Sequence, residues 1–308
     1  MDKLIELKGK KLIIFGGSGF LGSAIANRAL KYEMKVTSVS MKEDKNYLEK
    51  NSNLKTFFFD IANDSFNVFL EDAFDFAVNC SGYIDHSNFS QDTKVIDTHL
   101  IGLFNIIKNL NQSEIKKFIN IGSSDEYGKL ASGGTELRRE EPHTPYAFSK
   151  TASTHFLQML HRNINFPGIT LRPFLIYGPY QKKERLIPYV IDACCKNAAF
   201  EITEGAQLRD FLYITDFVDA VFSSLLSDSK ANGMVFDIGS GTGLTVRELV
   251  EIIKIKCRGG FANFGGKQLE KKEPDILVAN IELAYELLGW RPKIDISDGL
   301  DFTIDSLK

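Results

Sequence analysis

Residues 11–22 read KLIIFGGSGFLG, and this stretch decides the fold. The apolar run Lys11–Phe15 predicts a buried strand, and the pattern that follows through Leu30 predicts a helix with one apolar face. The glycines of Gly16–Gly22 permit a tight turn and a close approach of the backbone to a pyrophosphate, which the N–H groups at the helix start would bind. This context indicates a dinucleotide-binding unit more than an ordinary glycine-rich turn. The residues predicted to bind the dinucleotide here are Gly16, Gly19, Phe20, Leu21 and Gly22.

Strand patterns alternate with helix patterns along the chain after this unit. Such an alternation predicts an α/β fold, namely a Rossmann-type, doubly wound parallel sheet. We assign residues 1–178 to an NAD(P)-binding domain and residues 179–308 mainly to a smaller C-terminal substrate-binding lobe, with a strand at 234–239 that returns to the sheet. Ligands of such a sheet bind beyond the carboxyl ends of its strands.

The ends of the second, third and fourth predicted strands carry residues suited to a cofactor. Ser40 and Lys42 offer a hydroxyl and an ammonium where NAD-selective sites usually place an acid, which favours NADP(H) weakly over NAD(H). Asp60–Ile61 follow the third strand and are expected to flank an adenine. Cys80–Ser81 follow the fourth strand and are small enough to let the cofactor lie across the strand ends.

The stretch TPYAFSK, residues 144–150, places a tyrosine four residues before a lysine. Pro145 can open a helix, on which Tyr146 and Lys150 share one face. A free phenol has a pKa near ~10, and a cation one turn away is expected to lower it. The pair then predicts a proton shuttle between a hydroxyl and a carbonyl. Taken alone, the motif also fits an ordinary helix start.

Together these stretches resemble the extended short-chain dehydrogenase/reductase family, which contains nucleotide-sugar epimerases, dehydratases and ketoreductases. The resemblance covers nearly the whole chain and rests on Gly16–Gly22, Ser123–Gly128, Tyr146–Lys150, Leu171–Pro179, Arg209–Phe211 and Leu288–Pro292. It implies that Ser123 hydrogen-bonds the reacting sugar oxygen and that Tyr146 is the general acid/base. Lys150 is then expected to hold the nicotinamide ribose and to lower the pKa of the tyrosine.

The resemblance also implies a substrate with a diphosphate, which Arg209 would bind as a fork-shaped donor. Lys272 stands where an Arg commonly meets the diphosphate in the family. Two further positions depart from the family pattern. Leu175 replaces an Asn near the substrate phosphates, and His99 replaces an Asn before Gly102 in the helix predicted at about 92–110. We interpret His99 as a buried, hydrogen-bonded residue.

The run SSDEYG, residues 123–128, bears on the reaction. The 4,6-dehydratases of the family carry Thr-Asp-Glu or Thr-Ser-Glu at this site, and those carboxyls move protons during elimination of water. Ser124 and Asp125, a hydroxyl and a shorter carboxyl, disfavour dehydration and are predicted to bind the substrate. The run is most similar to the Ser-Ser-x-Glu-Tyr-Gly pattern of 4-keto-6-deoxy-sugar reductases. We therefore expect NAD(P)H-dependent reduction of a 4-keto sugar nucleotide.

Two other classes of function remain open at this stage. A 4-epimerase or 4-dehydrogenase with tightly bound NAD fits the same motifs. A cofactor-binding sensor that has lost its chemistry would typically lack Tyr146 or Lys150, and both are present. The sequence leaves the base and the sugar of the substrate open.

The composition is that of an ordinary globular protein, with 44% hydrophobic and 25% charged residues and a formal net charge of −3 over 308 residues. No global charge attracts nucleic acid, and no apolar run is long enough to cross a membrane. The cysteines have no paired spacing, which favours reduced thiols in a cytoplasmic protein, with Cys194–Cys195 on a buried helix face. Scattered histidines predict no metal site. Excess apolar residues in the helices predicted at 92–110 and 146–162, through which the family commonly dimerises, predict a homodimer.

Overall fold

The computed structural model describes residues 5–41, 47–63, 73–84, 94–110, 114–128, 140–268 and 274–307. Lys42 and Lys272 therefore lie outside the described residues. The strands, in chain order, are β1 Lys11–Phe15, β2 Lys35–Ser40, β3 Leu54–Phe58, β4 Phe76–Asn79, β5 Lys117–Ile121, β6 Gly168–Pro173, β7 Leu175–Tyr177, β8 Ala199–Ile202, β9 Leu208–Tyr213, β10 Val235–Ile238, β11 Gly243–Thr245, β12 Phe261–Phe264 and β13 Ile276–Leu277.

Helices follow most of these strands. We number them α1 Phe20–Lys31, α2 Lys94–Ile96 continued by Asp97–Ile101 and Gly102–Asn109, α3 Pro145–Ile164, α4 Leu186–Cys195, α5 Ile214–Leu225, α6 Val246–Cys257, α7 Glu282–Leu288 and α8 Ile296–Asp305. The middle segment of α2 is π-helical, and 3₁₀ turns lie at Ser124–Tyr127 and Ser229–Ala231.

The largest sheet has seven strands in the order β10-β6-β5-β4-β1-β2-β3, and all neighbouring strands in it run parallel. The strand order reverses between β1 and β4, which makes the sheet doubly wound and places the switch point beside the end of β1. This topology confirms the predicted Rossmann-like α/β fold.

Both faces of the sheet are covered by helices, which explains why its central strands are apolar throughout. Ile25 of α1 and Phe217 of α5 belong to a core cluster on one face. Leu103 of α2 and Leu157 of α3 belong to a second cluster on the other face. Because the strands are parallel, all of their carboxyl ends meet at one edge, where Gly16, Ser40, Cys80 and Ser123 lie.

The C-terminal part of the chain builds two smaller sheets. In one of them β9 pairs with β7, β11 and β13, and in the other β8 pairs with β12. Val235–Ile238 returns to the large sheet beside β6. Cys194 is buried, but Cys195 is exposed, so the expectation of a shared buried face was wrong for Cys195. Successive residues of a helix point about 100° apart, and α4 buries only the Cys194 side here.

No helix in the described ranges is long and apolar enough to cross a membrane. No group of three or more His, Cys, Asp and Glu side chains there could hold a metal ion.

Candidate active site

The glycine turn after β1 brings three parts of the backbone into close contact. Gly16 has a φ of +79°, and a Cβ on it would lie 2.6 Å from the carbonyl oxygen of Cys80. A Cβ on Gly22 would collide with the backbone of Gly16, so neither position admits a side chain. Gly19 precedes the first residue of α1, and among the described residues no side chain caps this helix start. The backbone N–H groups of this turn could hold the pyrophosphate of a dinucleotide, which remains the predicted role of Gly16, Gly19, Phe20, Leu21 and Gly22.

Apart from Lys42, which lies outside the described residues, the other residues predicted to bind the cofactor lie at the same edge. The Ser40 hydroxyl accepts a hydrogen bond of 2.9 Å from the N–H of Ser18, which ties the end of β2 to the glycine turn. The carboxylate of Asp60 accepts hydrogen bonds from the N–H of Ala62 and the side chain of Asn63. Asp60 thus closes the turn after β3.

Ile61 and Cys80 are held by close packing. Ile61 is buried against Gly102 of α2, where a Cβ would lie 2.7 Å from the Ile61 side chain. Burial raises the pKa of the Cys80 thiol to about 12, so this thiol stays protonated and unreactive at neutral pH. Ser81 donates its hydroxyl proton to Asn79 at the end of β4.

Ser123 begins the turn after β5 and fixes the position of the residues that follow. Its hydroxyl accepts a hydrogen bond of 3.1 Å from the N–H of Asp125, and its own N–H donates to the carboxylate of Glu126 at 2.9 Å. These two bonds form a capping box around Ser124–Tyr127. Gly122 admits no side chain because a Cβ there would collide with Glu126. Ser123 and Ser124 are both buried.

Tyr146 stands at the start of α3, next to Ser123. Thr144 caps this helix by accepting a hydrogen bond of 3.1 Å from the N–H of Ala147. Burial raises the pKa of Tyr146, and the carboxylate of Asp125 raises it further, while a hydrogen bond with the Ser123 side chain lowers it only in part. The expectation of a lowered phenol pKa was therefore wrong, since burial and the neighbouring carboxylate of Asp125 raise it. The phenol stays protonated at neutral pH.

Lys150 is buried one turn further along α3. Its ammonium donates a hydrogen bond of 2.8 Å to the backbone carbonyl of Ile121, at the end of β5. Burial lowers the pKa of Lys150 to about 8, against the opposing effects of Glu126 and Cys80. Tyr146 and Lys150 are both more than nine-tenths buried. The structure thus brings Ser123, Tyr146 and Lys150 to one edge of the sheet.

His99 lies in the π-helical segment of α2 and packs against this group. Its Nδ1 is 2.8 Å from the Ser149 hydroxyl, which itself donates to the carbonyl of Tyr146. The ring meets the Tyr146 ring edge to face, with centroids 5.3 Å apart. Burial and the charge of Lys150 lower the pKa of His99 well below its ordinary value. His99 is thus a buried, hydrogen-bonded, neutral residue, as the sequence suggested.

A network of buried charges behind Ser123 was not predicted. Arg172 on β6 donates to Glu126 and Glu140, with shortest distances of 2.7 Å and 2.6 Å. Glu126 also accepts a hydrogen bond of 2.9 Å from Thr154. The Arg172 guanidinium lies 4.7 Å from the centre of the Tyr127 ring. The acidic pair Asp125-Glu126 after β5 is visible in the sequence, but Arg172, the cation that pairs with Glu126, is 46 residues further along the chain.

Arg209 lies on β9, which pairs with β7, β11 and β13 in one of the smaller sheets. It is buried, and its Nη1 donates to the carbonyls of Leu208 at 3.0 Å and Pro274 at 2.9 Å. Asp210 beside it accepts hydrogen bonds from the backbone N–H groups of Ser240, Gly241 and Ala279. The bond to Pro274 holds this part of the chain against β9.

Comparison with known proteins places the chain among enzymes of nucleotide sugars. The model of the NAD dependent epimerase/dehydratase family matches residues 12–239. The chain is 28% identical to human dTDP-D-glucose 4,6-dehydratase over 67% of this chain and 61% of that protein. It is 24% identical to dTDP-4-dehydro-6-deoxyglucose reductase of Escherichia coli over 99% of both.

Solved structures share the fold over the whole chain. An epimerase from Methanothermobacter thermautotrophicus superposes with a TM-score of 0.89 at 20% identity, covering 100% of this chain and 94% of that one. UDP-glucuronic acid 4-epimerase from Bacillus cereus, solved with UDP-glucuronic acid and NAD, gives a TM-score of 0.87 at 24% identity, covering 96% and 98%.

Proposed function

The chain belongs to the NAD dependent epimerase/dehydratase family, and we propose that it reduces a 4-keto sugar nucleotide, in particular a 4-keto-6-deoxy one, with NAD(P)H. Such a reaction serves the biosynthesis of activated sugars for polysaccharides. The Escherichia coli reductase, which matches along nearly the full length of both proteins, supports this choice. The human dehydratase matches over a shorter part of its own chain.

The observation that carries the proposal is the position of the Tyr146 phenol at hydrogen-bond distance from the Ser123 side chain, at the start of the reductase-like run Ser123–Gly128. Burial and Asp125 raise the pKa of this phenol, so it holds a proton at neutral pH that it can give to a ketone oxygen. Reduction of a ketone needs a proton donor, whereas the first half of an epimerisation needs a base. Dehydration needs well-placed carboxyls at the two positions after Ser123, where this chain has the hydroxyl of Ser124 and the shorter carboxyl of Asp125.

The proposed roles follow from these contacts. A bound nicotinamide supplies the hydride. Tyr146 gives its proton to the carbonyl oxygen, and Ser123 donates a hydrogen bond to the same oxygen, so that hydride and proton together make the alcohol. Lys150 places a positive charge at the end of β5, where it holds the cofactor ribose and lowers the cost of the phenolate that forms. Ser124 and Asp125 line the sugar side of the same turn.

The proposed cofactor is NADP(H), favoured weakly over NAD(H). Ser40 and Lys42 carry the preference, because a hydroxyl and an ammonium suit a 2′-phosphate. The Bacillus cereus epimerase was solved with NAD. Titration of both cofactors by protein fluorescence decides between them. A clear NAD(H) preference, or NAD that co-purifies in stoichiometric amount, would favour the epimerase or dehydrogenase instead.

The proposed substrate lobe comprises mainly residues 179–308. We place the diphosphate of the sugar nucleotide at Arg209, whose guanidinium is oriented by backbone carbonyls, with Lys272 as a second cation. Replacement of Arg209 by Ala is then expected to raise KM for the sugar nucleotide strongly and to leave cofactor affinity unchanged.

The test of the reaction is direct. The purified protein is incubated with NADPH or NADH and a panel of 4-keto-6-deoxy sugar nucleotides that differ in base. We expect loss of reduced cofactor in equal amount to the 4-hydroxy product. Conversion of a 4-hydroxy sugar nucleotide into its 4-epimer without net use of cofactor would contradict the proposal.

We further propose a homodimer with two-fold symmetry that packs α2 and α3 against their copies. Phe104 on α2 and Phe148 and Met159 on α3 are between 42% and 50% exposed, more than their size favours in water. Light scattering at micromolar protein is expected to give the mass of a dimer. A monomeric mass would contradict this assembly.

A further inference from the structure

Two helix–turn–strand units in the C-terminal lobe are built on one plan. Helix α4 ends at Cys195, and β8 begins at Ala199 after a short turn. Helix α6 ends at Cys257, and β12 begins at Phe261 after a turn of the same length. The strands β8 and β12 pair in parallel, with Ala199 opposite Phe261. The two units therefore run side by side.

This register places Cys195 and Cys257 at equivalent positions. Each is the last residue of its helix, and the same sequence offset that pairs the two strands separates the two cysteines. Their Sγ atoms lie 3.6 Å apart. A disulfide needs about 2.05 Å, so the sulfurs would have to approach by only about 1.5 Å. Cys195 is exposed and Cys257 is partly buried, so a dissolved oxidant can reach the pair.

The neighbouring Cys194 is excluded from this chemistry. It is buried, and its sulfur packs under the turn before β12, where a Cβ on Gly260 would lie 2.6 Å away. Burial raises the pKa of the Cys194 thiol to about 11, which keeps it protonated. Of these three neighbouring thiols, those of Cys195 and Cys257 have the short distance and the exposure that disulfide formation needs.

We propose that Cys195 and Cys257 form a reversible disulfide when the protein meets a peroxide. The sulfur of the exposed Cys195 attacks the peroxide, which breaks its O–O bond and leaves a sulfenic acid and one water. The Cys257 sulfur then displaces the hydroxyl, which leaves as a second water, and the S–S bond forms. The two thiols lose two electrons and two protons in total, and the peroxide takes them up. A dithiol reductant reverses the change.

The disulfide joins two elements that form one wall of a cavity. Beyond the paired strands, the chain continues into Thr203 and Glu204 on one side and Gly265 and Lys267 on the other, and these residues line a cavity of about 550 Å³. A covalent bond at the start of both strands limits how far the strands can separate. Ser123, Tyr146 and Lys150 lie on other elements, so formation of the disulfide can be tested without measuring the proposed reaction.

Mass spectrometry of the full chain tests the proposal. After treatment with hydrogen peroxide we expect a mass loss of two hydrogens, and a non-reducing digest that contains one peptide pair joined through Cys195 and Cys257. Cys194→Ser serves as the matched control and should form the bond unchanged, whereas Cys195→Ser and Cys257→Ser should not. Each of these serines is smaller than or equal in size to the thiol it replaces, and two of the three positions are not deeply buried.

Thermal melting gives a second, independent readout. A bond that closes a loop of this length is expected to raise the melting temperature of the oxidised protein by about 5 °C over the reduced one, and dithiothreitol should reverse the shift. The shift should vanish in Cys195→Ser. A link through Cys194, a bond between two chains, or sulfinic acid at Cys195 with no link would each overturn the proposal.

Discussion

The short segment after β5 has two sides that differ in how their charges are satisfied. On one side lies the proton-transfer group, Ser123, Tyr146 and Lys150. On the other lies the buried ion network, Glu126, Glu140 and Arg172. The network compensates each charge at hydrogen-bond distance. In the proton-transfer group, by contrast, burial shifts the protonation equilibria: it lowers the pKa of Lys150 to about 8 and raises that of Tyr146.

This difference separates the residues that are proposed to transfer protons from the charged residues that fix the position of the segment after β5. A charge paired in a buried bidentate contact is fixed, because removal of one partner leaves the other unpaired in a low dielectric. In the proton-transfer group, burial moves the pKa of the Lys150 ammonium toward the working pH and the pKa of the Tyr146 phenol away from it. Shifted pKa values of this kind are common at functional sites. Glu126 links the two sides, because it accepts from Arg172 and from the N–H of Ser123.

The sharpest test of the proton-transfer side is Tyr146→Phe. The change removes the proton donor and preserves the ring that packs on His99, so kcat is expected to fall about 10²–10⁴-fold. Cofactor binding and melting temperature should stay close to wild type. If the variant keeps more than about half of the wild-type kcat, another group supplies the proton, and the distinction between the two sides fails.

The matching test of the network side is Arg172→Met. It leaves the carboxylate of Glu126 buried without its cation, so the free energy of unfolding is expected to fall by about 3–5 kcal/mol. Lys293→Met is the control, because the Lys293–Asp219 pair at 2.9 Å is exposed on the lysine side and should contribute less than about 1 kcal/mol. Urea denaturation measures both. Equal losses in the two variants would contradict the view of Arg172 as a scaffold residue.

The sequence predicted one side of this comparison much better than the other. Tyr146 and Lys150 are one helical turn apart, and the glycines of Gly16–Gly22 lie in one turn, so local periodicity and turn chemistry were enough. The partners Glu126 and Arg172 lie on different elements, and only the strand register brings them together. The pKa of Tyr146 was predicted in the wrong direction because the burial of the phenol cannot be read from the helix pattern.

A third prediction concerns His99, which packs against Tyr146 of the proton-transfer group. Gly82 has a φ of +113°, and a Cβ on it would collide with the His99 ring. Gly82→Ala should therefore displace the ring from Ser149 and Tyr146, and cost about 1–3 kcal/mol of stability. The double variant Gly82→Ala with His99→Ala should recover part of the loss, because the space is restored while the backbone strain remains. No recovery would mean that strain alone is the cause.

The last prediction uses the pH dependence of kcat/KM to separate the two sides, and the expected change in kcat/KM is smallest near neutral pH. Lys150 has a folded-state pKa lowered to about 8, so its ammonium is present below that pH and is lost as the pH rises through it. If this charge supports the proton transfer from Tyr146, kcat/KM for the keto substrate should be level below pH ~8 and should fall by up to about tenfold per pH unit above it. The raised pKa of the phenol adds no limb in this range, because Tyr146 stays protonated.

Lys150→Arg is the matched variant for this pH profile. A guanidinium keeps its charge at every accessible pH, so whatever activity the variant retains should lose the alkaline limb. The buried network predicts no such limb of its own, since Arg172 keeps its charge: its pKa is raised by its carboxylate partners in spite of burial. An alkaline fall that persists unchanged in Lys150→Arg would assign the titration to a different group, and a level wild-type profile to pH ~10 would show that the charge on Lys150 does not limit the reaction.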